Sequence, residues 1–288
     1  MKNVFSDKTE LQRLAVQRKL LWEYEYPIYQ QIIKDRENLT LLDVGCNNGN
    51  KTIERFGRKN FAKVVGVDCL EDMVAEAEEL FGDDVFSFFY CDVTKERFAD
   101  KIKAIMQKEN IVSFDVINCS FLLMHLQEPG AVLEGLRQLL SPDGVLVVIE
   151  PDDTRSKMEP DKDNIFSQFL AILANDPYAG KRDFGSKVLG ILQESGYENI
   201  ELKLSEIAAH KGEVEKKENI FVTFCSYLPE DLIILREENA ENAAYQEWWN
   251  WVQDNFAALR RLMTEEKTEI SIGIKIYTCT CGGGQDAD

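Results

Sequence analysis

Between residues 39 and 149, short runs rich in β-branched and apolar residues alternate with stretches of helical periodicity, and this alternation leaves the chain few architectures. Strands are predicted at 39–44, 63–67, 85–90, 113–118 and 145–149, and the clearest intervening helices at 71–81 and 131–140. Strands joined through helices pair in parallel, with the helices covering both faces of the sheet. Ser141-Pro142-Asp143-Gly144 is predicted to be a turn that stops one helix just before the fifth strand. Residues 1–36 read as helical, with Leu11, Leu14, Ala15 and Leu21 at helical spacing and Pro27 marking a break or a fresh start. Beyond Glu150 the alternation loosens. A helix is expected at 182–195, ended near Gly196, then a sixth strand at 199–204 and a seventh at 270–279. Residues 205–269, mostly helical in pattern and carrying Trp248, Trp249 and Trp251, are too long for an ordinary return and are expected to form a cap or a dimerisation element. The organisation predicted is a helical cap over 1–37 and a main α/β domain over 38–288 that contains this insertion. The glycine-rich tail, 282–288, is expected to fray.

Composition narrows the partners. The 288 residues carry 33 Lys and Arg against 51 Asp and Glu, a formal charge of −18, and such a field repels polyanions, so nucleic-acid binding is not expected. No apolar run approaches the roughly 18 residues of a membrane helix, and the N-terminus lacks the apolar core of a signal peptide. The 7 cysteines are odd in number and mostly isolated, which fits reduced thiols in the cytoplasm better than a disulfide framework. There are only 2 histidines, and no C-x-x-C, H-E-x-x-H or G-x-S-x-G. Cys279 and Cys281 are read as lining one strand face, so no metal site is expected.

The chemistry is concentrated in Leu41-Leu42-Asp43-Val44-Gly45-Cys46-Asn47-Asn48-Gly49-Asn50, a strand running into a glycine-bearing turn and then a helix. Glycine lets backbone pass close to a ligand there, while the helix start offers unpaired N–H groups. The next strand ends at Asp68, about 20 residues on, where a carboxylate can accept both ribose hydroxyls of an adenosine. Asp92 ends the third strand and can accept from an adenine amino group. A dinucleotide fingerprint starting at Gly45 needs glycine at 47 and glycine or alanine at 50, and both are asparagine; no G-K-[ST] follows either. An adenosine ligand without phosphates is the simpler fit.

These motifs resemble class I S-adenosylmethionine-dependent methyltransferases of the small-molecule kind, over about residues 38–204. Asp43-Val44-Gly45-Cys46-Asn47-Asn48-Gly49 is similar to the family's D-V-G-C-G-x-G except at the middle glycine, where asparagine best tolerates a left-handed backbone. Asp68 with Cys69 and Met73 resembles the ribose acid and its adenine cover, and Cys91-Asp92-Val93 the adenine-contacting motif. Phe114-Asp115-Val116-Ile117 leading to Cys119, Ser120 and Leu123-Met124-His125-Leu126 is similar to the fourth strand and its sequel. The resemblance implies an α/β three-layer sandwich with a seven-stranded sheet in the order 3-2-1-4-5-7-6, strand 7 antiparallel. It implies S-adenosyl-L-methionine held by Asp43, Gly45, Cys46, Asn47, Asn48, Gly49, Asp68, Cys69, Met73, Asp92, Val93, Cys119 and Ser120.

The implied reaction is in-line transfer of a methyl group to an oxygen or nitrogen of a small-molecule acceptor. The other readings are a peptide or protein acceptor, or a protein that binds the donor without catalysis. A general base is needed only for an acceptor that arrives protonated, and His125 is the candidate by residue type, since unperturbed histidine suits that role, its context otherwise reading as structural. Acceptor contacts are expected from parts outside the common core, with Tyr24, Asp152 and Tyr178 as candidates.

Overall fold

The structure, a computed structural model, describes residues 8–282; the first seven residues and the tail from 283 onward lie outside the described residues. In chain order the helices are α1 (Lys8–Ile33), α2 (Asn50–Arg55), α3 (Glu71–Phe81), α4 (Phe98–Lys108), α5 (Pro129–Arg137), α6 (Ile165–Leu173), α7 (Val188–Glu194), α8 (Val214–Phe224), α9 (Leu228–Glu238) and α10 (Ala243–Thr264). The strands are β1 (Leu39–Val44), β2 (Phe61–Asp68), β3 (Phe86–Tyr90), β4 (Phe114–Ser120), β5 (Leu140–Pro151), β6 (Lys157–Glu159), β7 (Glu198–Leu204), β8 (Ile207–Ala209), β9 (Glu269–Ile272) and β10 (Ile274–Thr280). The chain divides into two units, one of Tyr24–Pro151, Phe184–Ser205 and Ile274–Asp288, the other of Met1–Glu23, Asp152–Asp183 and Glu206–Gly273.

The first unit holds a seven-stranded sheet in the order β3-β2-β1-β4-β5-β10-β7, with β10 antiparallel to both neighbours. With β7 as the sixth strand and β10 as the seventh of this sheet, that is the expected order. Side chains alternate across it. Leu42, Val44, Val65, Val67, Ile117, Cys119, Leu146 and Val148 share one apolar core with Phe98, Ile102 and Met106 of α4 and Val132, Leu133 and Leu136 of α5. The intervening strand residues, Asp43 and Asn118 among them, point to the opposite face. Those two lie side by side in the β1–β4 register.

Several expected boundaries moved. Pro27 sits inside α1, which continues to Ile33; burying Ile28 and Tyr29 in the turn around it offsets the roughly 3 kcal/mol an interior proline costs. Residues 141–144 are a bulge within β5, because the β4–β5 register jumps from Phe114↔Leu140 to Val116↔Val145. The helix expected from 182 is confined to α7, after a 3-10 turn at Phe184–Ser186, since the Arg182 guanidinium is committed to Asp153 at 2.9 Å.

In the second unit β6, β9 and β8 form a small antiparallel sheet in that order, beside helices α6, α8, α9 and α10. Its interior is built from Ile220, Phe221, Phe224, Leu228, Leu232, Leu259 and Met263. The run 270–279, expected as one strand, is two, divided at Gly273. A Cβ on Gly273 would lie 1.9 Å from the Asp152 carbonyl oxygen, and the Asp152 N–H donates to the Gly273 carbonyl at 2.8 Å. That approach bends the run into two strands of different sheets. Among the described residues, no helix is long and apolar enough to cross a membrane.

Candidate active site

The turn from β1 into α2 is built from three left-handed residues, Gly45 (φ 82°), Asn47 (φ 49°) and Gly49 (φ 73°). Asn47 thus takes the backbone that its substitution for glycine requires. The turn is pinned to the tip of β2: the Gly45 and Cys46 N–H groups donate to the Val67 carbonyl at 2.8 and 3.1 Å, and the Asn47 N–H to Asp68 Oδ2 at 2.8 Å. Asn47 Oδ1 accepts from the Asn48 N–H at 2.7 Å. The Phe88 ring from β3 fills the space beneath, so that a Cβ would meet it at 2.9 Å from Gly49 and at 2.5 Å from Gly66.

Asp68 accepts a second N–H, from Leu70 at 3.0 Å on Oδ1, so both of its oxygens are hydrogen-bonded to backbone at the tip of β2. It is half-buried, and burial raises its pKa against the pull of those N–H groups. Cys69 is exposed beside it and Met73 half-buried on α3. Asp92 is bound more locally, Oδ1 accepting the Thr94 N–H at 2.9 Å and hydroxyl at 2.6 Å. Partial burial would raise its pKa, but Thr94 and then Lys95 outweigh it and hold the carboxyl low.

Behind the turn lies a buried polar network that explains Asp43. Its Oδ2 accepts the Thr52 hydroxyl and its Oδ1 the Asn118 amide, both at 2.6 Å, while the Tyr29 hydroxyl donates to Asn118 Oδ1 at 2.5 Å. Asp43, Thr52, Asn118 and Tyr29 are all buried, as are Glu25 and Arg55, which form an ion pair nearby. Burial pushes Glu25 up to about 7 despite the attraction of Arg55. Asp43 therefore faces its own scaffold: it ties β1, α2 and β4 together below the turn.

Other expected ligands are also turned inward. Cys119 is fully buried in the core on the opposite face of β4, Cys46 and Val93 are buried, and Asn48 is nearly so. Ser120, one residue beyond Cys119, is half-exposed at the strand tip and accepts from the Lys51 ammonium. His125 is exposed in a 3-10 turn after β4. Tyr24 is half-buried on α1. In the second unit, Asp152 is buried and accepts the Thr154 hydroxyl at 2.5 Å, closing its own turn, and the Tyr178 hydroxyl donates to Glu238 at 2.8 Å. Trp248, Trp249 and Trp251 are half-buried along α10. Among the described residues, no group of three or more His, Cys, Asp or Glu is arranged to hold a metal.

Sequence reading missed Asn118, Thr52, Lys51 and Glu150. Two carried a visible signal, since Asn118 and Glu150 are polar residues within the apolar runs Val116-Ile117-Asn118-Cys119 and Val148-Ile149-Glu150.

A family profile described as "Methyltransferase domain" matches residues 35–181, half of the chain. The chain belongs to this methyltransferase family. The methyltransferase domain is 30% identical over 153 residues to the ubiquinone biosynthesis O-methyltransferase of Histophilus somni, an alignment covering 49% of this chain and 62% of the relative. The chain thus spans less than two thirds of the length of the first curated relatives that it matches. Among solved structures, a methyltransferase described as putative from Bacillus halodurans superposes with TM-score 0.52 at 14% identity, covering 89% of this chain and 98% of that one. The phosphoethanolamine N-methyltransferase 2 of Haemonchus contortus, solved with S-adenosyl-L-methionine, gives TM-score 0.51 at 14% identity, covering 96% and 59%. At such identities the structural likeness speaks for the fold of the methyltransferase domain.

Proposed function

We propose that this chain transfers a methyl group from S-adenosyl-L-methionine to an oxygen or nitrogen atom of a small-molecule acceptor. The observation that carries the reading is the left-handed turn at Gly45, Asn47 and Gly49 hydrogen-bonded to Asp68, the acid at the tip of the neighbouring strand. Gly45 and Gly49 give the turn the left-handed backbone on which the donor rests, Asp68 accepts from the ribose, and Met73 covers the adenine. Asp92 takes a share in adenine only by adding to its hydrogen bonds with Thr94. The O-methyltransferase name of the curated relative supports oxygen as the receiving atom.

When bound, the donor supplies a methyl group on a sulfonium, already activated for in-line displacement. What remains for the protein is to orient both partners, worth up to about 7–11 kcal/mol of barrier, and to keep water away. The buried Asp43–Asn118–Tyr29 network serves orientation, by fixing the strand tips from which the turn springs. An acceptor that arrives protonated requires a base, and His125, exposed just beyond β4, takes that role in this reading. The unpaired cysteines fit work in the reducing cytoplasm, and the charge of −18 sets nucleic acid aside as acceptor.

Calorimetry with S-adenosylmethionine and S-adenosylhomocysteine, followed by tritium transfer to small-molecule, peptide and RNA pools, tests the reading. Binding of both nucleosides is expected, at least 10-fold weaker in Asp68→Ala, with label entering the small-molecule pool. Undiminished binding by Asp68→Ala removes the ribose assignment, label confined to peptide or RNA removes the acceptor class, and copurified NAD(H) removes the donor.

A further inference from the structure

Lys51 stands out in a chain with 51 acidic residues against 33 basic ones. It is the second residue of α2, directly after the glycine turn, and half-buried. Its ammonium donates to the Ser120 hydroxyl at the tip of β4 and lies 5.8 Å from the centroid of the Phe121 ring. Both neighbours are neutral. Arg36 and Lys63 of the same unit, by contrast, meet carboxylates, those of Asp115 and Glu109, each at 2.9 Å. Among the described residues no carboxylate oxygen comes within 4 Å of the Lys51 ammonium.

The aromatic partner is held there under strain. Phe121 has φ 54°, a left-handed backbone that a bulky side chain rarely adopts. The strain is imposed from β5: the Phe121 N–H donates to the Ile149 carbonyl at 2.8 Å, and the next two N–H groups, of Leu122 and Leu123, donate to the buried Glu150 carboxylate at 3.2 and 2.7 Å. Leu122 is thereby laid against Gly45, 3.4 Å from where a Cβ would stand. Lys51, Ser120 and the Gly45 turn thus converge at the tips of β1 and β4. An ammonium partly withdrawn from water, with only a hydroxyl and a ring for company, gains most from an anionic acceptor, because charge-assisted hydrogen bonds are about twice as strong as neutral ones.

We propose that Lys51 and Ser120 form a seat for a carboxylate of the molecule bound at the glycine turn. The inference rests on the methyltransferase reading and adds a ligand chemistry to it. Two sources supply that group, the amino-acid end of the methyl donor or a carboxylate on the acceptor, and binding measurements separate them.

The test compares Lys51→Met, which keeps the chain length but not the charge, with Lys51→Arg and the parent. Calorimetry uses S-adenosylhomocysteine, 5′-methylthioadenosine, which lacks the amino-acid end, and, on protein saturated with S-adenosylhomocysteine, benzoate against the uncharged benzamide. If the donor supplies the carboxylate, Lys51→Met binds S-adenosylhomocysteine at least 10-fold more weakly and methylthioadenosine within about twofold of the parent, and Lys51→Arg recovers most of the loss. If the acceptor supplies it, S-adenosylhomocysteine binding is unchanged and the parent's preference for benzoate over benzamide disappears in Lys51→Met. A Lys51→Met protein that matches the parent in both respects overturns the proposal. Should Lys51→Met lose methylthioadenosine as well, Ser120→Ala decides: a loss confined to the carboxylated ligand supports the seat, and none overturns it. A parent that binds neither nucleoside overturns the methyltransferase reading itself, an outcome distinct from the others.

Discussion

Asn118 does two jobs from the middle of a strand, accepting from Tyr29 and donating to Asp43 in a space closed to water. Tyr29→Phe leaves the Asn118 carbonyl oxygen without that donor, at a cost of about 1–3 kcal/mol. Urea unfolding should show a lower midpoint with an unchanged slope. Asn47 makes the complementary point about backbone. Because its φ is 49°, Asn47→Gly should bind S-adenosylhomocysteine about as well as the parent, whereas Asn47→Val has to force a β-branched residue into that region, at roughly 1–2 kcal/mol, and should bind more weakly in the same titration. The Asn47 geometry was legible beforehand, since asparagine is among the residue types that best tolerate the left-handed backbone of the glycine it replaces. Which way Asp43 faces was not. A carboxylate before a glycine turn reads as a ligand-binding group, and only the β1–β4 register reveals the amide beside it.

At the scale of elements, the large sheet was readable because parallel strands and their helices leave strong periodic signals, whereas the small sheet was not. Its strands β6, β8 and β9 are three or four residues long, too short for any period to register. The split of 270–279 depends on one atom's clearance. Gly273→Ala should destabilise by at least about 3 kcal/mol, the top of the overpacking range, because backbone rather than a movable side chain occupies the space. Helix α9 carries a second liability. Burial, then the neighbouring Asp176 carboxylate, pushes Asp231 up to about 8. Such a carboxyl keeps its proton in the folded chain but loses it near pH 4 once unfolded. The folded state therefore binds more protons across that window, and stability falls as pH rises from about 4 to about 8. Melting temperatures at pH 5 and pH 8, at constant ionic strength, should differ less in Asp231→Asn than in the parent.

For the molecule as a whole, a ligand that binds only the folded state stabilises it by mass action. S-adenosylhomocysteine at 100 times its dissociation constant should add about 2.7 kcal/mol, read as a rise in melting temperature that is at most about half as large in Asp68→Ala at the same concentration. The family was legible from three strand tips in order, because each tip is a local motif. The acceptor was not, since the residues that would choose it lie outside those motifs. Tyr178 and Asp152, candidates from the sequence, hydrogen-bond to Glu238 and Thr154, partners that no local motif announces. Phe88 sets a limit of another kind. One ring is the mould against which two distant glycines, 49 and 66, are cast. Alanine at either position demands a smaller residue at 88, and a smaller residue at 88 alone leaves a void under the turn. The three positions form one coupled unit of variation, and drift at any of them is held in check by the other two.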